Sequence, residues 1–458
     1  MLNHSDENNR SQSFSFNYFL EILQCMAIKV LHLSDIHLGS TTHGKVNPQT
    51  GLNTRLEDFV TALAICIDRA INEPADIVLF GGDAFPDATP PPLVQQAFAK
   101  QFRRLADAGI PTVLLVGNHD QHSQGIGGAS LAIYRSLAVP NFTVGDTIAT
   151  YRIATGAGEI QIITLPWITR STLLTKSETE GFSMTEVSQF LIDRLQVVIE
   201  GEIRQLDSQL PTILLAHVMV DTATYGAERF LAAGKGFTIP LSMLTREAFD
   251  YVALGHVHRH QVLATEPLVV YPGSIERVDF GEENEAKGYC WLEVEKGNVK
   301  FEFCAIPTRP FRTIEVDVTQ SDDPQGKLLK AIHKGKIEEA IARLIYKIKA
   351  EQLAQIDDRS LHEAMAIAHN YAIIPEVVSQ NPRIRLPDLS TAEALDPMTA
   401  LRTYLSTRDD LKNLEPEMLN AAQELLSEIG LGIDELDSVS SSPSPTQKPT
   451  SQLVISFS

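Results

Sequence analysis

The sequence predicts an α/β fold. Between residues 27 and about 305 short apolar runs alternate with helical patterns, and several of the runs end in a polar cluster. Composition agrees: of 458 residues, 43% are hydrophobic and 21% charged, which suits a folded globular chain and not a disordered, collagen-like or disulfide-scaffold one. At about 150 residues per domain, the length suggests two or three domains.

The runs are IKVLHL (28–33), DIVLF (76–80), TVLLV (112–116), IQIITLP (160–166), TILLA (212–216), YVALG (251–255) and LVVYPG (268–273), each of strand length. Between them, Val187, Phe190, Leu191, Leu195, Val198 and Ile199 recur at i, i+3, i+4 and mark one buried helical face. YCWLEV (289–294) and VKFEFCAI (299–306) flank a polar EKGN and read as a hairpin that closes the domain.

After Pro307 the texture changes. Residues 311–385 give an alternating strand (RTIEVDV), a helical stretch and a further strand near IARLIYKIKA, a small α+β module. Residues 397–429 contain two amphipathic helices, the second with Met418, Leu419, Ala422, Leu425, Leu426 and Ile429 on one side. From Asp434 the chain turns to Asp, Ser and Pro, too polar to bury a core and expected to be disordered. Residues 1–25 precede Met26, the expected natural start. The expected divisions are therefore 1–25, a main domain at 26–306, a module at 307–388, a helical segment at 389–433 and a tail at 434–458.

Lys and Arg total 38 against 58 Asp and Glu, a net charge of −20, so the molecule as a whole repels phosphate backbones and anionic membranes. A polyanion would have to be held locally. Cys25, Cys66, Cys290 and Cys304 form no CxxC pair, so neither a zinc knuckle nor a disulfide framework is indicated. No run approaches the roughly 18–20 apolar residues that span a bilayer, and the N-terminus lacks the features of a signal peptide. The expected location is the cytoplasm.

The chemistry lies in polar clusters at the carboxyl ends of successive expected strands, where open α/β sheets collect their sites. In order they are Asp35 and His37 (SDIHLG), Asp83 (FGGDAF), Asn118 and His119 (VGNHD), His217 (LLAHV), and His256 with His258 (LGHVHRH). Carboxylate, imidazole and carboxamide donors suit a hard-to-borderline divalent ion such as Mn²⁺. In DxH and HxH the pair stands at i and i+2, so on an extended strand end both side chains project to one side. The glycines of GGD and GNHD permit close approaches that a Cβ would block. A carboxylate can bridge two ions about 3.5–4 Å apart, which would clamp a phosphodiester and activate a water; Asp83 is the natural bridging candidate. Taken singly, DxH is weak and His217 reads more readily as a hydrogen-bonded core histidine. All five clusters in this order outweigh that reading.

The DxH, GGD, GNHD, H and GHxH series, from Asp35 to His258, resembles the calcineurin-like metallophosphoesterase superfamily. FGGDAFPDATPPP, GKGFTIPLSML (234–244) and YPGSIERVDFGEENEAKGY (271–289) further resemble the SbcD family, the nuclease subunit of a bacterial double-strand-break repair complex. The likeness is firm over residues 27–306 and loose over 307–430. It implies a four-layered αββα core with a small α+β cap module and C-terminal helices. It also implies two divalent ions, most suitably Mn²⁺. Asp35, His37 and His258 would bind one, Asn118, His217 and His256 the other, and Asp83 both. His119 would bind no metal, contacting the scissile phosphate and helping the leaving oxygen, a role suited to an imidazole. Asp120 either orients His119 or caps a helix.

The archaeal and eukaryotic relatives commonly carry a histidine three residues after the GGD aspartate; Pro86 stands there, followed by Asp87, which favours the bacterial branch. Ser274 and Arg277 are either phosphate contacts or parts of a PGS turn. Lys327, Lys330, Lys334, Lys336, Arg343, Lys347 and Lys349 form either a basic patch for DNA in the cap module, with Lys334, Lys336 and Lys347 as its candidate contacts, or a solvated face. No GxxxxGK[ST] occurs, and GKG at 234–236 lacks the spacing to cradle phosphates, so any use of ATP belongs to a partner. The resemblance implies an SbcC-type coiled-coil ATPase as that partner, docked on the C-terminal helices unless these pack on their own domain, and a homodimer within a heterotetramer. The expected activity is metal-dependent exonucleolytic and endonucleolytic hydrolysis of DNA phosphodiesters. A nucleotidase or phosphoprotein phosphatase, or a non-catalytic scaffold on the same fold, are the rivals.

Overall fold

The structure, a computed structural model, describes residues 27–121, 128–169, 182–226, 238–378, 397–406, 411 and 414–428. Expectations for residues 1–25, for 234–237 of GKGFTIP and for the tail from Asp434 lie outside the described residues. The chain divides into two compact units, one through Glu376 and one from Val377.

In the first unit the order is β1 (Ile28–Leu33), α1 (Thr54–Asn72), β2 (Ile77–Phe80), α2 (Pro92–Asp107), β3 (Thr112–Leu115), α3 (Ala132–Ser136), β4 (Phe142–Gly145), β5 (Ala149–Thr155), β6 (Gly158–Leu165), α4 (Met184–Ile203), β7 (Thr212–His217), β8 (Met219–Val220), β9 (Thr238–Ile239), β10 (Tyr251–Gly255), β11 (Gln261–Thr265), β12 (Leu268–Tyr271), β13 (Gly288–Glu295) and β14 (Asn298–Ala305). One sheet runs β14-β13-β1-β2-β3-β4 and the other β11-β12-β10-β7-β6-β5. Strand alternation sorts the apolar residues into three layers of core. Ile28, Val30, Ile77, Leu79 and Val113 of the first sheet meet Ile162, Ile213, Leu215, Tyr251 and Val270 of the second. On the outer face of the first sheet, Leu31, Leu33, Val78 and Phe80 pack on Phe59, Leu63, Phe98 and Phe102 of α1 and α2. On the outer face of the second, Ile163, Leu165, Leu214 and Ala216 pack on Leu195 and Ile199 of α4. The result is the expected αββα sandwich.

The central strands are parallel, so their carboxyl ends lie together: β1 pairs with β2, β2 with β3, β7 with β10, all in parallel register. The β13–β14 hairpin is antiparallel and adds an edge to the first sheet through β1.

A third sheet follows, β15 (Phe311–Asp317), β16 (Ile341–Lys349) and β17 (Asn370–Val378), with α5 (Pro324–Lys334) and α6 (Asp358–Met365) between its strands. Leu328, Ile332, Leu361 and Met365 cover one face of it, packing on Ala342, Leu344, Tyr346 and Ile348. This module is fastened to the core: Arg309 donates to both oxygens of Asp58 at 2.7 Å, and Thr313 donates its N–H to Glu283 at 3.0 Å. The seven-cation patch expected here divides. Lys327, Lys330 and Lys334 ride on α5, whereas Arg343 and Lys347 alternate with the core-facing residues of β16 and stand on the opposite face of the sheet. Period-2 alternation on a strand separates charges that sequence proximity joined. Lys347 shares a groove there with Glu315, Asp317 and Glu376.

Among its described residues the second unit contains two helices, α7 (Pro397–Ser406) and α8 (Glu415–Glu428). Leu414, Met418 and Leu425 are exposed. No helix among the described residues is long and apolar enough to cross a membrane.

Candidate metal centre

Each expected donor lies at or just beyond the carboxyl end of a core strand. Asp35 and His37 follow β1, Asp83 follows β2, Asn118 and His119 follow β3, His217 ends β7, and His256 and His258 follow β10. The i, i+2 argument for DxH does not hold as stated: the backbone there is not extended, since Asp35 and His37 have φ of 52° and 47°. Asp83 (58°) and His256 (105°) are also left-handed. Four strained, non-glycine conformations cost of order 1 kcal/mol or more each and gather at one place, as they do at functional sites.

Backbone amides hold these conformations. Asp35 accepts from His256 N–H at 3.0 Å, and Asp83 Oδ1 accepts from His119 N–H at 2.8 Å. Asp120 returns the clasp: its carboxylate accepts from the N–H groups of Asp83 (2.8 Å), Ala84 (3.0 Å) and Gly117 (2.9 Å). It therefore neither orients His119 nor caps a helix. Burial and the neighbouring Asp83 push its carboxyl up to about 7. The glycines permit this approach; a Cβ on Gly82 would stand 2.6 Å from His217 Nδ1, and one on Gly117 2.1 Å from Asp83 Oδ1.

The donors converge in overlapping groups: Asp35, His37 and His258; Asp83, His217 and His256; and His37, Asp83 and His119. Within each group one ligand atom per residue lies within 4.8 Å of the others. His37 Nε2 is 2.9 Å from His258 Nε2. Asn118 Oδ1 is 3.0 Å from His217 Nε2 and 2.9 Å from His256 Nδ1. Asp83 Oδ2 lies between the two halves, 3.4 Å from His217 Nε2 and 3.9 Å from His37 Nε2.

These residues fit a pair of cations. Asp35 and Asp83 are buried, they raise each other's cost of ionisation, and the cationic groups that act on them are imidazoles. Burial opposes the charge on His217, but Asp83 overrides it and lifts the imidazole to about 9, while Asp83 itself is held far below the usual carboxylate range. The metal-free centre thus draws a proton where a cation would sit, and loading must displace it. Burial and His258 hold His37 down to about 3, so it offers a lone pair.

His119 is half-buried and packs edge-on to His37, ring centroids 5.0 Å apart. Its Nδ1 donates to the Pro86 carbonyl at 2.7 Å, which leaves Nε2 as the ring nitrogen not used in that bond. Pro86, notable in the sequence for what it replaces, thus supplies the contact that fixes this ring.

Ser274 and Arg277 are both engaged within the protein. Ser274 is fully buried and donates to the Glu276 carbonyl at 3.0 Å. Arg277 spends its guanidinium on the Glu282 and Glu285 carbonyls (3.1 and 2.7 Å) and on Thr308. Lys334, Lys336 and Lys347 are exposed.

Sequence reasoning missed Glu282. Its carboxylate binds His258 Nδ1 at 2.8 Å and buried Lys287 Nζ at 2.6 Å. A carboxylate behind an imidazole fixes its tautomer and aim. Nothing distinguished Glu282 from Glu283 or Glu285 in the run GEENEAKGY. Burial works against the charge, yet His258 and Lys287 hold the carboxyl down to about 2. A depressed carboxyl contributes stability above its unfolded value of about 4.3 that is lost as pH falls toward the folded one. Glu282→Gln is therefore expected to cost about 3 kcal/mol at pH 7, with the gap to wild type closing between about pH 4.5 and 2. Denaturant melts across that range test this; a gap independent of pH would refute the ionic role.

A core of this kind with buried, convergent carboxylate and imidazole donors defines a metal-dependent hydrolase of phosphoesters. The chain belongs to the calcineurin-like phosphoesterase family, which it matches over residues 28–260. It is also similar to TT1561 of Thermus thermophilus (16% identity over 60% of this chain and 98% of that one, TM-score 0.35). A dimetal phosphatase from Danio rerio (11%, 60% and 96%, TM-score 0.36) and the purple acid phosphatase PPD1 of yellow lupin (15%, 61% and 52%, TM-score 0.37) are similar to it as well.

Proposed function

We propose that the chain is a Mn²⁺-dependent DNA exonuclease and endonuclease subunit of the SbcD type. Asp35, His37 and His258 would hold one ion, Asn118, His217 and His256 the other, and Asp83 both. The observation that carries the assignment is the position of Asp83 Oδ2, within 4 Å of an imidazole from each half. When bound, the ions supply an activated water and neutralise charge on the transferring phosphoryl group. His119, held at Nδ1 by Pro86, presents Nε2 to protonate the leaving oxygen. Asp120 keeps the two loops that carry Asp83 and His119 in register.

The choice of DNA over a smaller phosphoester is supported by the FGGDAFPDATPPP and YPGSIERVDFGEENEAKGY segments and by the exposed Lys327, Lys330 and Lys334 on α5, whose i, i+3, i+7 spacing places them on one helical face. The C-terminal helices, with Leu414, Met418 and Leu425 exposed, are the proposed docking surface for a coiled-coil ATPase, in an assembly built on a homodimer. The test is Mn²⁺-dependent cleavage of end-labelled linear duplex DNA by the purified chain, alongside bis-p-nitrophenyl phosphate. Cleavage of DNA that falls steeply with salt is expected. Turnover of the small ester alone, with and without an added ATPase partner, would favour a generic phosphoesterase.

A further inference from the structure

The histidines of the centre are not held alike. His258 has Glu282 behind its Nδ1, and His217 has the Gly81 carbonyl behind its own at 2.7 Å. Metal-ligating histidines ordinarily have such a partner on the ring nitrogen turned away from the ion. His256 turns Nδ1 toward Asn118, and its buried Nε2 has no hydrogen-bond partner among the described residues. What lies against this ring is Trp167. The two rings stack with centroids 4.8 Å apart and planes at 28°, and the indole meets His217 edge-on at 6.0 Å.

Trp167 is itself well placed to act as a wall. It follows β6, is 7% exposed, and donates its backbone N–H to the Val116 carbonyl at 3.0 Å, directly before the Gly117–Asn118 turn. Its own carbonyl accepts from Gln121 Nε2 at 3.0 Å. Met219 packs with it. A histidine ring without a hydrogen bond behind it is free to swivel about χ2 unless a flat surface stops it. An indole face also favours a ring made electron-poor by a bound cation.

We infer that Trp167 is a positioning residue for the His217/His256 half of the centre, taking for His256 the part that Glu282 takes for His258. The inference rests on the ligand assignment proposed above. It makes the two ion sites separable by mutation, one braced by a carboxylate and the other by an aromatic face.

The experiment uses the full chain and MnCl₂ alone. The sequence has two tryptophans, and the second, Trp291, lies in the helix-side core with Arg69 over its ring. In a Trp291→Phe background, Mn²⁺ is expected to quench Trp167 emission in step with binding, since a paramagnetic ion on His256 would sit next to the indole. Counting free Mn²⁺ by electron paramagnetic resonance, Trp167→Leu should retain one ion at wild-type affinity and bind the other about 10–100-fold more weakly. Trp167→Phe, which keeps a flat ring, should restore that affinity to within a few-fold. Two ions bound at wild-type affinity by Trp167→Leu overturns the inference and leaves the ligand assignment standing, whereas emission indifferent to Mn²⁺ while ions bind overturns the placing of an ion on His256 and the inference with it. Failure of the wild-type chain to bind Mn²⁺ overturns both. Should Trp167→Leu not fold, the quenching and the Trp167→Phe affinity decide the matter.

Discussion

Replacing His119 by alanine is expected to lower Mn²⁺-dependent phosphodiester hydrolysis by about 10²–10⁴-fold, the usual contribution of a placed acid or base, while two ions remain bound. The reasoning turns on where the ring is anchored. Its Nδ1 is committed to the Pro86 carbonyl and its backbone N–H to Asp83, so the residue is fixed at two points, one of them on the ring, without belonging to either outer donor group. His119 also lies within reach of His37 and Asp83, so the outcome discriminates. An ion lost from His119→Ala, measured by equilibrium dialysis, would make His119 a ligand and remove the leaving-group role. The loss should be smaller for a substrate whose leaving group is already a weak base, such as a p-nitrophenyl ester, because less protonation is needed.

Asp83→Ala should do more. The carboxylate stands between both halves of the centre and is the nearest anion to His217, so its removal is expected to take metal and activity together, the latter by about 10³-fold or more for several kcal/mol of lost charge stabilisation. Asp83→Asn separates charge from scaffold, since its amide oxygen can still accept the His119 N–H. Both variants should fail to retain two ions, while Asn keeps more of the metal-free stability than Ala. Two ions per chain in Asp83→Asn would remove the bridging assignment, whatever the activity.

The sequence made much of this legible because the donors sit at strand ends and the strands are short apolar runs. All seven runs became strands, and YVALG matches β10 residue for residue. Less visible were β4, β5 and β11, which carry few fully buried residues and so lack a continuous apolar signal. The donor types could be read, but not the backbone that presents them; left-handed φ at Asp35, His37, Asp83 and His256 is invisible to a rule built on extended strands. Residues that act from behind were hidden as well. Asp120 had a visible motif position but its three amide partners come from two separate turns, and Trp167 looked like one more apolar residue after a strand.

The four left-handed donors also bear on how long the protein persists. Left-handed backbone stands in the turns after β1, β2 and β10, and amide hydrogen bonds such as His119 N–H to Asp83 and His256 N–H to Asp35 tie one turn to another, so their order is expected to rise together with occupancy. Ligand that binds only the ordered state protects it by mass action. Supply of the ion is then expected to bear on how long the polypeptide lasts as well as on its chemistry, with limited proteolysis at these turns slowed by added Mn²⁺.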